Sequence, residues 1–302
     1  MSSRNLISRL VPQKFPEYLE LTKPGIVMAI LMTTSAGFML GAQNWSQAFD
    51  GFWLLIGTAL SAGCAGTLNH YLESEHDARM ERTRQRPLPS GKLRPLAALS
   101  FGVFLGLAGL SILLLFLNAL TAFLAGLTVA LYIWVYTPLK RHSTLNTLVG
   151  AIPGALPPLA GWTAATNRLD LTALLIFLVF FFWQMPHFYA LAWMYRDDYQ
   201  EGGFVMLPVV DARGSRTARA TLFYSVLLSL SGIVLGVQLM AGPLYYILVG
   251  ILAGSLTWTA FRMGIKRDRP AAVRVFLGSL LFLPGFVVTL TLERIVSFYF
   301  SA

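Results

Sequence analysis

Apolar residues in this chain come in long unbroken stretches rather than in alternation. They run near 24–42, 51–72, 96–116, 118–136, 145–165, 171–193, 218–240, 243–261 and 272–292. Each is close to the roughly 20 residues that a helix needs to cross a bilayer. A membrane barrel would need segments of about 10 residues alternating polar with apolar, and no such alternation is sustained here. The pattern predicts an all-α integral membrane protein, a bundle of nine transmembrane helices. The lead-in, MSSRNLISRLVPQKFPEYLELTKP, lacks the apolar core of a cleavable signal. Its amphipathic character places it on the membrane surface. The expected organisation is a cytoplasmic or interfacial segment over 1–23 and a single transmembrane domain over 24–302.

Composition agrees, with 56% of the 302 residues hydrophobic, 12% charged and a mean hydropathy of +0.63. The basic residues then orient the bundle. With a cytoplasmic N-terminus, the inner segments carry every Lys and Arg except Arg168 and Arg294, 21 of 23. This asymmetry is the positive-inside signal, and it puts the C-terminus on the opposite side of the cell inner membrane. The formal charge of +9 thus reports topology, and no nucleic-acid partner is expected. A lone cysteine, Cys64, excludes an internal disulfide and a thiolate metal cage; in SAGCAG it reads as a packing residue.

The inner loops are longer and more polar than the outer ones, so function is expected on the cytoplasmic side. In TLNHYLESEHDARMERTRQRPLPSGKL, residues 67–93, the positions Asn69, Glu73 and Asp77 are spaced i, i+4, i+8. On a helix they line one face over about 12 Å. Such an all-oxygen face suits a hard cation such as Mg2+, which commonly bridges to phosphate; the plain alternative is a solvated helix end. Glu75, Glu81 and His76 fall outside this face, and His70 reads as a hydrogen-bonding neighbour. Arg79, Arg82, Arg84 and Arg86 follow, and arginine grips oxyanions through paired hydrogen bonds. For any one of them, a lipid-headgroup contact or a topology role is an equal reading. Tyr136 and Lys140, four apart after the fourth span, are placed to meet a phosphate, although lysines cap such helix ends routinely. In the sixth span His187 follows Pro186 within apolar sequence, where ionisable groups are costly and commonly functional; alternatively it satisfies carbonyls freed by the proline. Asp197 and Asp198, beside Arg196, form either a second metal face or a helix-end salt bridge. No phosphate-binding Gly-rich loop, nucleophile elbow or zinc-protease motif occurs.

Together these motifs resemble those of the UbiA-type intramembrane prenyltransferase superfamily, which carries N-x-x-x-D-x-x-x-D after the second span, Y-x-x-x-K after the fourth and an acidic motif after the sixth. Here the first reads Asn69, Glu73, Asp77, with glutamate in the middle place, and the second Tyr136, Lys140. The segments LTKPGI (21–26), 69–91, 136–166 and 181–210 are similar in particular to the branch whose acceptor is haem; from residue 215 onward only hydropathy and loop charge speak. The resemblance implies transfer of a farnesyl group from farnesyl diphosphate to a vinyl group of haem b, with addition of water, giving haem O. It implies Mg2+, one ion or two, held by Asn69, Glu73 and Asp77 with Asp197 or Asp198 opposite. Arg82, Arg86, Tyr136, Lys140 and Arg196 would bind the diphosphate, and His187 would contact the haem through its iron or a propionate. Haem is then a substrate, and membrane lipids surround the chain. A homo-oligomer, or contact with haem A synthase, stays open. Two rival readings also remain: a prenyltransferase acting on a quinone precursor such as 4-hydroxybenzoate, and a membrane transporter or haem-handling protein.

Overall fold

The computed structural model describes residues 14–300; Arg4, Arg9 and the rest of the lead-in through residue 13 lie outside the described residues. Among the described residues all regular structure is helical. A short helix α1 (Phe15–Leu21) precedes α2 (Pro24–Gly41), α3 (Ala48–Asp77), α4 (Pro95–Phe116) and α5 (Ala119–Leu139). Then come α6 (Asn146–Thr166), α7 (Leu171–Met194), two short inner-loop helices α8 (Arg196–Glu201) and α9 (Leu207–Val210), α10 (Ser215–Gln238), α11 (Pro243–Lys266) and α12 (Arg269–Phe300).

Eight of these, α2 to α5, α7 and α10 to α12, are long and apolar enough to cross a membrane. The ninth expected span, 145–165, is present as the 21-residue α6 but falls short on apolarity. Its sequence is rich in Gly, Ala, Thr and Pro, and 13 of its residues are buried. Neighbouring helices cover it on most sides, so it needs less lipid-soluble surface than an outer helix. Outer helices show the reverse pattern, with Phe104, Leu115, Trp134 and Leu281 between 66% and 77% exposed. That outward apolar surface is the mark of a chain whose solvent is hydrocarbon.

Close approach of α2 and α6 depends on two glycines. A Cβ on Gly37 would lie 1.9 Å from the Pro158 carbonyl oxygen, and one on Gly161 2.0 Å from that of Thr34. Backbone touches backbone there, as small residues permit between membrane helices. Cys64 serves the same purpose between α3 and α4, its Sγ filling the space that a side chain on Gly106 would take. Helices α7, α10, α11 and α12 share a second packed cluster that includes Phe180, Tyr245, Phe282 and Phe286.

Between the two groups of helices lies a cavity of about 530 Å3, walled by α2, α3, α5, α6, α7 and α12. Most of its wall is apolar; its charged residues come from one end of the bundle, the end that carries loops 78–94 and 140–145.

Candidate active site

Helix α3 runs five residues past the apolar stretch that ends at 72, as the helix-face spacing of Asn69, Glu73 and Asp77 predicts, and its polar tip is enclosed by protein rather than solvated. Asn69, Glu73 and Asp77 are 1%, 4% and 1% exposed, and all three line the cavity. Each is met by a cation or a hydrogen-bond donor. Lys140 Nζ donates to Glu73 Oε1 at 2.8 Å and to Oε2 at 3.2 Å. Arg86 Nη1 donates to Asp77 Oδ2 at 2.7 Å, while Asp77 Oδ1 is buried without a protein partner among the described residues. Asn69 accepts from Lys23 Nζ and donates to Thr137 Oγ1 at 3.1 Å.

The loop after α3 is folded onto the bundle. Met80, Leu88 and Leu93 are buried, and Thr83 Oγ1 donates to the Asp77 carbonyl at 2.8 Å. This packing delivers Arg82 and Arg86 to the cavity wall; Arg84 stays exposed.

Tyr136 and Lys140 owe their place to a local irregularity. Helix α5 widens into a π-helical turn over Leu131–Tyr136, and Thr137 Oγ1 donates back to the Tyr132 carbonyl at 2.8 Å. Such turns recur at functional sites because they re-aim side chains. Gly150 on α6 leaves room for the Tyr136 ring, which a Cβ there would approach to 2.5 Å. The Lys140 ammonium sits 4.7 Å from the centre of that ring and 5.7 Å from that of Phe204. Burial alone would lower the Lys140 pKa, but the Glu73 carboxylate overrides it and holds the group well above its usual range. Lys23 has no such direct carboxylate partner; burial, reinforced by Lys140, lowers it to about 7. In all, Lys23, Arg82, Arg86 and Lys140 face two carboxylates, Glu73 and Asp77, in one cavity.

The segment after the sixth span is placed differently. Asp197 is 87% exposed at its side chain and 3.3 Å from Arg196 Nε. Asp198 is 20% exposed and 3.9 Å from Arg82 Nε. Neither aspartate nor Arg196 lines the cavity; Tyr199, Phe204 and Met206 from the same stretch do. His187 lines it from α7, its Nδ1 2.9 Å from Ser279 Oγ on α12. His76 leaves the site altogether, its Nδ1 2.8 Å from the Gly202 carbonyl oxygen, and His70 Nδ1 is buried without a partner among the described residues.

Among the described residues no three His, Cys, Asp or Glu side chains gather into a ready metal cage. The donor set nevertheless fits a hard cation. Asn69, Glu73 and Asp77 offer oxygen only, and the bare Asp77 Oδ1 is a buried acceptor of the kind that calls for a missing partner.

Sequence reasoning overlooked Lys23 as a site residue. It stands 46 positions from Asn69 and was counted only among the orienting charges; its place before Pro24, at the mouth of the first span, was the available signal. Thr137 and Ser279 carried no signal, since polar residues of their kind recur along these helices.

The chain belongs to the UbiA prenyltransferase family, whose model matches residues 30–283, and it is a prenyltransferase. Among curated relatives, the protoheme IX farnesyltransferase of Solibacter usitatus is 40% identical over 287 residues, covering 92% of this chain and 98% of the relative. That of Salinibacter ruber is 42% identical over 277 residues, again 92% and 98%. Solved structures share the fold at low identity. A digeranylgeranylglyceryl phosphate synthase superposes with a TM-score of 0.79 at 16% identity, covering 94% of this chain and 99% of that one. A UbiA homologue from Archaeoglobus fulgidus, bound to DMAPP and Mg2+, gives 0.68 at 14%, covering 91% and 99%.

Proposed function

We propose that this chain transfers the farnesyl group of farnesyl diphosphate to a vinyl group of haem b, with addition of water, giving haem O and free diphosphate. The observation that carries the diphosphate part is the group of four cations around two buried carboxylates at the end of an apolar cavity. The names of the relatives supply farnesyl and haem.

Asn69, Glu73 and Asp77 would hold Mg2+, with Asp198 the nearer of the two loop aspartates through its contact with Arg82. When bound, the ion supplies Lewis-acid neutralisation of the diphosphate. Lys140, Arg82 and Arg86 hold the remaining oxygens, with Tyr136 beside them; Arg196 joins only if its loop turns inward. As the bond between the farnesyl carbon and the diphosphate oxygen breaks, negative charge grows where these cations already stand, which lowers the barrier. The allylic cation is shielded by aromatic faces such as Tyr132, Trp183 and Phe188. A vinyl carbon of the haem then bonds to the farnesyl carbon, and water takes up the positive charge on the neighbouring carbon and loses a proton. Apolar walls keep other water out.

We also infer nine spans, counting α6, with the N-terminus and the charged cavity mouth on the cytoplasmic side of the inner membrane and one transmembrane domain over 24–302. The test is incubation of purified protein and Mg2+ with farnesyl diphosphate and either haem b or 4-hydroxybenzoate. Farnesylated haem is the expected product; a prenylated phenol with untouched haem would replace this reading. Glu73→Gln combined with Asp77→Asn should abolish diphosphate release, and a transporter would release none in either form.

A further inference from the structure

Resting on the haem reading, we infer that His187 is an axial ligand of the haem iron through Nε2, and that Ser279 is the positioning residue that fixes its tautomer. The argument follows the protons. Ser279 Oγ lies 2.6 Å from the Phe276 carbonyl oxygen, and its single hydrogen goes there. The same oxygen is 2.9 Å from His187 Nδ1, and with its proton committed it can only accept. Nδ1 therefore carries the ring hydrogen, and the lone pair is left on Nε2. Nε2 has no protein partner among the described residues and is not sealed from the cavity that His187 lines. This is the arrangement by which proteins ready a histidine for a metal, the second ring nitrogen being tied to an acceptor.

The support is rigid. Ser279 is fully buried, and its backbone carbonyl accepts from Trp183 Nε1 at 2.8 Å, so both polar atoms of this one residue pin α7 to α12. The imidazole is stacked against Phe276, with ring centres 4.9 Å apart, and Trp183, 5.5 Å. The wall beside it, Phe188, Leu191, Leu280 and Leu283, bears no charge. A propionate brought there would be a buried carboxylate without a cation, which is costly; a porphyrin face with its iron toward the imidazole meets the apolar carbon of these four side chains. Ligation forms one Nε2–Fe bond from the imidazole lone pair and moves no proton.

The test is spectroscopic and needs no farnesyl diphosphate. Full-length protein in phosphatidylcholine nanodiscs is titrated with ferric haem b, and with metal-free protoporphyrin IX in parallel. The unsubstituted chain should give a histidine-ligated Soret band. His187→Ala and His187→Gln should lose it, regain it with added imidazole, and bind protoporphyrin IX as before, which also certifies their fold. Ser279→Ala should weaken haem uptake by roughly tenfold or more and leave protoporphyrin uptake unchanged. Haem uptake with the same spectrum in both His187 variants would overturn the inference alone. No haem uptake by the unsubstituted chain would overturn the acceptor assignment with it.

Discussion

Lys23 holds the least comfortable backbone in the site. Its φ of 56° is left-handed, rare for a residue with a side chain, and Pro24 follows it directly. Such conformations cost about 1–3 kcal/mol and persist where the surroundings demand them. Here the demand is the reach of its ammonium to Asn69. Two substitutions separate backbone from charge. Lys23→Met removes a basic group that lines the cavity; a charge-assisted hydrogen bond from it to the diphosphate would be worth about 1.5–3 kcal/mol, so KM for the prenyl diphosphate should rise by roughly 10- to 100-fold. Lys23→Gly should lose binding to the same degree yet melt above Lys23→Met, because glycine accepts positive φ freely. Equal binding by either variant and the unsubstituted chain would remove Lys23 from the site. The i, i+4, i+8 triad was legible in the sequence because helical periodicity alone puts Asn69, Glu73 and Asp77 on one face. Lys23 offered only the weak signal of its place before Pro24, since its meaning depends on the α2–α3 approach, which no local pattern encodes. Asp197 and Asp198 were legible only as alternatives, metal face or helix-end salt bridge: α8 turns after Met194, and an acidic pair there looks the same whether it faces cavity or solvent. Neither lines the cavity, Asp197 being exposed beside Arg196 and Asp198 lying near Arg82.

Helix α5 places Lys140 through its π-helical turn, so the turn's stability is a functional quantity. Thr137→Val removes both the hydroxyl that closes the turn and the acceptor for Asn69. A loss of about 1 kcal/mol per neutral hydrogen bond predicts turnover several-fold lower with the fold intact, measured as kcat beside a melting curve. Packing elements make a sharper contrast. Gly161→Val drives a branched side chain into the Thr34 carbonyl, and overpacking of this kind costs at least 1–3 kcal/mol; detergent-solubilised protein should melt lower or fail to assemble. Gly264→Ala on α11 meets nothing within 4 Å and should be neutral or stabilising by up to about 1 kcal/mol, since alanine favours helix. All nine apolar stretches read as membrane-spanning helices in the sequence, and among the described residues eight are long and apolar enough to cross a membrane. The ninth, α6, has the composition of a helix wrapped by others, with Pro153, Pro157 and Pro158 inside it, and burial of that kind is decided by tertiary neighbours.

For the whole molecule, the charge asymmetry of the loops makes a directional statement about the membrane. Arg84 and Arg168 are both exposed and lie on loops expected on opposite sides. Cys64, the only cysteine, is 3% exposed. A membrane-impermeant maleimide should therefore label Arg168→Cys in cells whose outer membrane has been opened, and Arg84→Cys only after the inner membrane is broken. The reverse pattern would invert the bundle. The pairing of Glu73 with Lys140 and of Asp77 with Arg86 has one more consequence, for the order in which ligands settle. A cation arriving alone can take the bare Asp77 Oδ1 but must pull Glu73 from Lys140 and leave that basic group unpaired. A diphosphate arriving alone claims both basic groups and strands two buried anions, a loss of several kcal/mol. Arriving together, the ligands exchange partners and leave no charge stranded. Mg2+ should thus bind at least about tenfold more tightly with a diphosphate analogue present, and the analogue should gain by the same factor from Mg2+, as paired calorimetric titrations would measure. In a cell short of either one, this protein would withdraw little of the other from the common pool.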